Sequence, residues 1–518
     1  MPQKPEALTG RIIYRKHAAL LFTVGLLCAL DYLQAGMIAF ANAPIRGEIE
    51  ASPEEFSLVA ALYACIAVVV ISKQHWLTER LGWRNFMLGS ISVFVLGALV
   101  CGVSADLTSF TVGRVIMALG GASFMTSARL MINLIPPGPG RFTGIKVFAT
   151  GLAGGTAAAP FISSWVVAEN TWHAIFWILI VGALVAAALC VRFLPTSPIP
   201  EEDRTPSSLA SILLLSVSSF FLLYILQRSY YDFYNDTFII VGCAFLAALG
   251  MYTFFHAEHN KATPFLKVRD LMQPRYLQGV ALFCYAYVLL GANNYILPYF
   301  LQTGLGYSWD TIGTFQAIGL TGTLATWVIM ATLLPKYPAP KKFFILGFIA
   351  LGGFGWLLSS LTPSANMWSN ILPALILNGC FVMLVMSTAA MQTFRDVMQE
   401  EKLFAHAYQI KNMMGQIAMA IGTTAATLFL QWRTTLQYNN LNVHFSASDT
   451  LYVEQTQQLA QALSSEVGAT TANQISVAMH AQMLQQQSTL VASMEYFWVV
   501  IGVAVIALII SVTQKTFR

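Results

Sequence analysis

The sequence predicts an all-α polytopic membrane protein with fourteen crossings, and three observations predict it. Hydrophobic residues make up 56% of the 518-residue chain and charged residues only 10%, with a mean hydropathy of +0.63. A water-soluble domain carries roughly 25% charged residues, so lipid must be the main solvent of this chain. Apolar runs of crossing length, about 20 residues, recur from one end to the other. The basic residues collect in alternate connecting segments.

The runs lie near 17–41, 54–73, 86–104, 108–134, 143–168, 172–193, 208–227, 237–257, 276–301, 310–334, 342–361, 369–394, 403–431 and 492–513. Each is read as a helix, because backbone polar groups in hydrocarbon are satisfied within a helix or a closed barrel. Lys4, Arg11, Arg15 and Lys16 precede the first run, and Ala41-Asn42-Ala43 resembles a signal-peptidase site. That run is longer than the about 7–15 residues of a signal core and carries Asp31, so it is expected to be retained as a span. The runs at 108–134 and 403–431 are expected to tilt or to extend past the bilayer. With the N-terminus in the cytoplasm, inward-facing segments hold 22 of the 28 Lys and Arg, and outer loops hold three (Arg46, Arg228, Arg433). This asymmetry predicts that both termini are cytoplasmic.

The organisation follows from the order of the runs. Residues 1–194 form a six-span half, and 195–260 hold a Pro-rich linker (PTSPIPEEDRTP, 195–206) and an inserted pair of spans. Residues 261–431 supply five spans of a second half, 432–491 an outer segment, and 492–518 the last span and a cytoplasmic tail. Two six-helix halves around an inserted pair suggest a transporter built from repeats. The outer segment is rich in Gln, Ala and Ser, with apolar residues at helical spacing. It predicts one or two amphipathic helices outside or on the membrane.

Residues that carry chemistry stand out against this background. Gly151, Gly155, Ala159 and Ser163 recur every four residues, a smooth stripe on which another backbone can approach closely. Pro160 removes a backbone hydrogen bond and bends the helix there. The stripe is either ordinary packing or the face of a gating helix. A charge at mid-bilayer costs about 2.5–3.5 kcal/mol on insertion scales, so one that persists usually faces a cavity. Asp31 lies about 14 residues into its span, near the midplane at roughly 1.5 Å per residue. A carboxyl there is neutral when desolvated and charged beside a cation, which suits a proton carrier; otherwise it pairs with an arginine and locks two helices.

Arg114 and Arg129 lie in the fourth span, Arg129 near its inner end, where it either snorkels or lines a cavity. Lys411 is about eight residues into the thirteenth span, with Asn412 and Gln416 following. Asn293 and Asn294 lie deep in the ninth span among Tyr285, Tyr287 and Tyr295. They suit a mixed cavity or serve as interhelical glue.

These features occur with motifs that resemble the major facilitator superfamily, specifically its fourteen-span drug:proton antiporter branch (EmrB/QacA-type exporters). GTAAAPFISS, residues 155–164, is similar to the antiporter motif G-x-x-x-G-P-x-x-G-G, with Ala159, Ser163 and Ser164 in place of three glycines. HWLTERLGWR, residues 75–84, resembles the inner-loop motif G-x-L-A-D-R-x-G-R-R, with Glu79 for the Asp and Arg80, Gly82 and Arg84 matching. Arg114 matches the arginine of R-x-x-Q-G. TWHAIFWI (171–178), LPYFLQTGLGYS (297–308) and NMMGQIAMAIG (412–422) resemble further segments of that branch. The resemblance implies a major facilitator fold and proton-coupled efflux by alternating access. It implies Asp31 and Arg114 in proton coupling, and a periplasmic adaptor with an outer-membrane channel as partners for the late outer loop. It places the protein in a bacterial inner membrane.

Other classes find little support. No phosphate-cradling G-x-x-x-x-G-K-S/T is present, so the expected energy source is the proton gradient, with no cofactor. The seven cysteines fall in apolar runs without a C-x-x-C pair and read as small hydrophobes. His256-Ala257-Glu258-His259 is not expected to hold a metal, and no basic segment with interleaved aromatics suggests nucleic acid. The alternatives to an exporter are an uptake symporter of the same fold and a polytopic membrane enzyme acting on lipid. Lys411 has no evident acidic partner, so the expected substrate is an amphipathic organic acid or a neutral aromatic rather than a lipophilic cation.

Overall fold

The structure is a computed structural model that describes residues 10–136, 138–206, 208–232, 236–262, 264–333, 339–443 and 450–514. It contains α1 (Gly10–Phe40), a short α2 (Asn42–Glu48) and α3 (Pro53–Gly102). α3 is broken at Gly82, whose φ of 76° and ψ of 160° take it out of the helix, so it makes two crossings. The fourth crossing is divided into α4 (Leu107–Gly121) and α5 (Phe124–Met131). α6 (Pro139–Ala168) and α7 (Ala174–Phe193) complete the first half. The inserted pair is α8 (Leu209–Asp232) and α9 (Thr237–Asn260). The second half is α10 (Pro274–Tyr299), α11 (Trp309–Leu333), α12 (Pro340–Leu358), α13 (Leu372–Thr393), α14 (Glu401–Asn442), α15 (Thr450–Val467) and α16 (Ala469–Thr513). Thirteen of these stretches are long and apolar enough to cross a membrane, and the break in α3 makes fourteen crossings. Among the described residues there is no strand.

Two apolar cores organise the bundle, one inside the first half and one in the second half that reaches across to Phe40, Val68 and Ile71 of the first. One runs from Val24 to Leu194 and includes Phe94, Phe110, Trp172 and Phe176; the other is centred on Phe300, Phe348, Phe354, Phe381 and Phe497. The same kind of helix pair organises both. The small-residue stripe of α6 lies against α1. A Cβ at Gly151 would fall 2.3 Å from the Gly25 carbonyl oxygen, and one at Gly155 would fall 2.4 Å from that of Ala29. Further along, Ala159 faces Gly36, and the Ser163 hydroxyl donates to the Met37 carbonyl at 3.2 Å. In the second half α14 meets α10 in this way, with Gly422 against Val288 and Gly291 against Met419. The stripe is therefore a packing face within the first half.

The inner-loop motif holds the linker. Glu79, 1% exposed, accepts hydrogen bonds from the Thr205 amide (2.7 Å) and hydroxyl (3.0 Å), and His75 lies 3.1 Å from it. Its own carbonyl accepts from the Ile199 amide at 2.8 Å, and the Arg84 amide donates to Pro195 at 3.1 Å. Arg80 stacks over Trp76 at 4.0 Å and donates to the Thr205 carbonyl at 3.3 Å. Gly82 is needed on two counts. Its positive φ is readily adopted by glycine, and a Cβ would meet the Thr196 carbonyl oxygen at 2.5 Å. A second buried acid anchors the far end of the inserted pair. Glu258 accepts from Ser211, Lys261 and the amides of Phe265 and Leu266.

The 432–491 segment is less separate than its composition suggests. α14 continues past the thirteenth crossing to Asn442, and α16 carries 469–491 and the last crossing as one helix. No glycine or proline falls between 469 and 501, so nothing stops the helix at the membrane surface. Arg433 of α14 forms a two-pronged pair with Glu495 of α16, joined by Gln437 at 2.8 Å.

The α1–α6 contact yields a paired test. Gly155→Val should destabilise the protein by about 1–3 kcal/mol, the usual cost of overpacking. Gly154→Val, with nothing within 4 Å of its Cβ position, should be near neutral. Thermal unfolding of the detergent-purified variants measures the difference.

Candidate functional site

The two halves meet at three levels. At one end α6 touches α11, with Ser164 and the Pro160 carbonyl against Gly313, and Phe40 of α1 packs edge-on to Trp309 at 5.4 Å. At the other end α14 reaches across to α3 and α5. Gln409 donates to the carbonyls of Ile71 (2.7 Å) and Ser72 (3.1 Å), and Asn412 donates to the Thr126 hydroxyl at 2.8 Å. The rings of His75 and His406 pack edge-on at 5.6 Å, and Arg129 lies over Phe404 at 4.7 Å. In this arrangement both ends are in contact.

Between these ends lies a buried polar layer. Asp31 accepts a hydrogen bond from the Met125 amide at 3.2 Å. That donor is free because the fourth crossing is interrupted just before it, and the first amides of a helix lack internal partners. The interruption falls on Gly120-Gly121-Ala122-Ser123, where Gly120 is pressed against Phe94 of α3 and a Cβ would come within 2.3 Å of its nitrogen. Asp31 and Arg114 do not form an ion pair. Arg114 donates to the Gln34 side chain at 3.2 Å and lies over the Tyr63 ring at 4.2 Å, while Gln34 donates to the Tyr63 hydroxyl at 2.7 Å. Gln34 sits one turn along from Asp31 and stands where a carboxylate paired with Arg114 would stand.

Lys411 comes from the opposite half and is 4% exposed. Its Nζ donates to the Tyr287 hydroxyl at 3.5 Å and faces Phe283 (4.7 Å), Tyr408 (4.9 Å) and Tyr287 (5.6 Å). No carboxylate pairs with it among the described residues. A desolvated cation–π contact is worth about 2 kcal/mol, so three rings offset much of the cost of burying the ammonium. Asn412, next to Lys411, bonds Thr126, next to the Met125 whose amide holds Asp31, so the acid and the amine lie on either side of one seam between the halves.

The other expected residues divide. Asn412 bridges the halves, and Gln416 is half-buried one turn further on. Asn293 is fully engaged inside the second half, donating to Asn378 at 3.2 Å and accepting from Tyr496 at 2.7 Å, so it is glue between α10, α13 and α16. Asn294 is exposed. Sequence reasoning did not find Gln34, Tyr63, Thr126, Phe283, Tyr408 or Gln409. Only Gln34 carries a signal: a glutamine one turn after an intramembrane aspartate.

Comparison with known proteins agrees with the fold. The family described as Major Facilitator Superfamily matches residues 24–423. The chain is 24% identical over 391 residues to "Uncharacterized MFS-type transporter YhcA" of Bacillus subtilis, covering 75% of this chain and 71% of that one. It is 26% identical over 386 residues to "Putative multidrug resistance protein MdtD" of Salmonella newport, covering 73% and 79%. Among solved structures, one described under substrate recognition in proton dependent oligopeptide transporters superposes with a TM-score of 0.58 at 14% identity, covering 96% of this chain and 98% of that one. A mutant nucleoside transporter NupG superposes with a TM-score of 0.57 at 9% identity, covering 96% and 100%. The paired halves, the buried layer between them and the family match over most of the length lead to one conclusion: the chain is a multi-pass membrane transporter of the Major Facilitator Superfamily, and not an enzyme.

Proposed function

We propose that this transporter exports amphipathic small molecules, organic acids or neutral aromatic drugs, from a bacterial cytoplasm in exchange for protons. The observation that carries the reading is the central layer, where half-buried Asp31 of one half and buried Lys411 of the other lie on either side of the Asn412–Thr126 bond. The contacts that close the two ends come from different helix pairs, α6 with α11 and α14 with α3. Breaking one set while keeping the other opens the layer to one side at a time, as alternating access requires. The antiporter-like stretch with Pro160 and the relative called a multidrug resistance protein support export over uptake.

In this reading Asp31 carries the proton. With no arginine attached, its carboxyl is held by one amide and the neighbouring Gln34, so protonation strands no buried cation. Arg114 acts through Gln34 and tunes the aspartate at one remove. Lys411 and its rings receive the substrate, the ammonium taking a carboxylate and the rings an apolar body. Both termini lie in the cytoplasm, and 432–491 faces the periplasm as the surface for an adaptor leading to an outer-membrane channel.

Three measurements test this. A cysteine introduced at the exposed Gln461 should react with a membrane-impermeant thiol reagent in intact spheroplasts; protection there with labelling only after lysis would reverse the topology. Inside-out vesicles with an imposed pH gradient should accumulate a weak-acid amphiphile. With Asp31→Asn that accumulation should fall to the level of protein-free vesicles, while equilibrium binding of the same compound persists; undiminished uphill transport would place the proton elsewhere. Lys411→Ala should weaken binding of anionic amphiphiles about tenfold, or about 1.4 kcal/mol, and leave neutral aromatics nearly unchanged. A loss confined to cationic dyes would overturn the assignment of substrate charge.

A further inference from the structure

Where the halves meet at the end that carries the inner-loop motif, several polar atoms are buried with no partner among the described residues. α14 contributes three of them: His406 Nδ1, Gln409 Oε1 and Asn412 Oδ1, on side chains no more than 4% exposed. They recur every three residues, so successive side chains leave the helix about 5–6 Å apart at Cβ. α3 supplies a fourth, Gln74 Oε1, on a fully buried side chain whose nitrogen reaches the Ser127 hydroxyl at 3.2 Å. The orientation of Gln409 is forced. Its nitrogen donates to the carbonyls of Ile71 and Ser72, which can only accept, so its own oxygen turns away from them. A buried acceptor left unpaired costs about 1–3 kcal/mol, and proteins commonly satisfy such atoms with bound water.

The row joins two places already described. At its deep end Asn412 bonds Thr126, and the amide of the adjacent Met125 holds Asp31. At its other end the His406 ring packs on His75, whose Nε2 lies 3.1 Å from Glu79 of the inner-loop motif. The charged and titratable groups around His406 are His75 and Glu79 of α3, Lys267 ahead of α10 and Lys402 of its own helix. The two ammonium groups disfavour a lasting charge on the imidazole. A proton reaching the ring is therefore passed on rather than stored.

We infer that this seam is a hydrated path by which the proton on Asp31 leaves the central layer, with His406 as its last relay inside the bundle. The inference rests on the proposed proton coupling and supplies its route. The Asp31 carboxyl gives its proton to water held at Asn412 and Thr126 and becomes a carboxylate. The proton moves as hydronium along waters bonded to the side-chain oxygens of Asn412, Gln409 and Gln74. His406 accepts it at Nδ1 and releases the proton on Nε2 toward His75 and Glu79, which leaves the ring neutral. Proton exchange with water at the mouth resets the tautomer.

The test uses the full-length protein in liposomes holding a pH-sensitive dye, with naphthalenesulfonate as the transported acid, because a sulfonate stays ionised and carries no proton itself. Two rates are read: sulfonate-dependent proton movement, and exchange of labelled for unlabelled sulfonate without a pH gradient. His406→Gln keeps a polar side chain but cannot relay. A positioned proton-transfer group commonly contributes about 100-fold, so this variant should lower proton movement at least tenfold and leave exchange within about twofold. Gln409→Met, which removes the unpaired oxygen at similar volume, should act in the same direction. His256→Gln, at an exposed histidine of α9, should change neither rate. Wild-type proton movement that persists in His406→Gln would overturn the route alone. Loss of exchange in step with proton movement in that variant would make His406 structural and overturn it too. Wild-type exchange with no proton movement would remove the proton-coupled reading itself, and the route with it.

Discussion

Backbone-to-backbone approach is the constraint on which the rest of this structure depends. Between helices in lipid the hydrophobic effect supplies no attraction, so contact must come from atoms fitted closely together. The chain meets this demand twice, once where α6 lies on α1 and once where α14 lies on α10. In each pair glycines are placed where any side chain would strike a carbonyl. Each pair forms a stiff unit within its half, and each presents one polar group to the centre: Asp31 from α1 and Lys411 from α14.

The central layer is built from compromises that this rigidity permits. The interrupted fourth crossing leaves an amide unpaired inside the membrane, and Asp31 takes it up. Among the described residues Arg114 and Lys411 are buried without carboxylates; Arg114 rests on the Tyr63 face and the Gln34 amide oxygen, and Lys411 on aromatic faces. Such partners lower the cost of a buried cation without cancelling its charge. A carboxylate partner would have neutralised the layer; rings do not.

Much of this was legible in the sequence. Run length alone marked fourteen crossings, because hydrocarbon thickness leaves few choices for a helix. The four-residue recurrence of Gly151, Gly155, Ala159 and Ser163 marked a close helix contact, though not that its partner would be α1 rather than the other half. Pairing across the fold was illegible for a physical reason. Glu79 finds Thr205 and Gln409 finds Ile71 across long stretches of chain, and periodicity reports which face of a helix is buried, not what it meets. That Asp31 and Arg114 take different partners was illegible on a similar point. A resemblance carries residue types, whereas the break before Met125 and the reach of Gln34 decide which partner is taken. The outer segment looked separable because its composition changes near 491, yet helix propensity does not, so the helix continues.

That continuity makes α16 a lever. Its outer stretch, residues 469–491, extends about 35 Å at 1.5 Å per residue, and it is joined without a hinge to a span of the second half. Rocking of that half by about 15°, as in known domain rotations, would sweep the outer tip through roughly 9 Å. The Arg433–Glu495 clasp couples α14 to the same sweep. Under the proposed alternating access, a movement of a few ångströms around the central layer would be displayed, enlarged, at that tip.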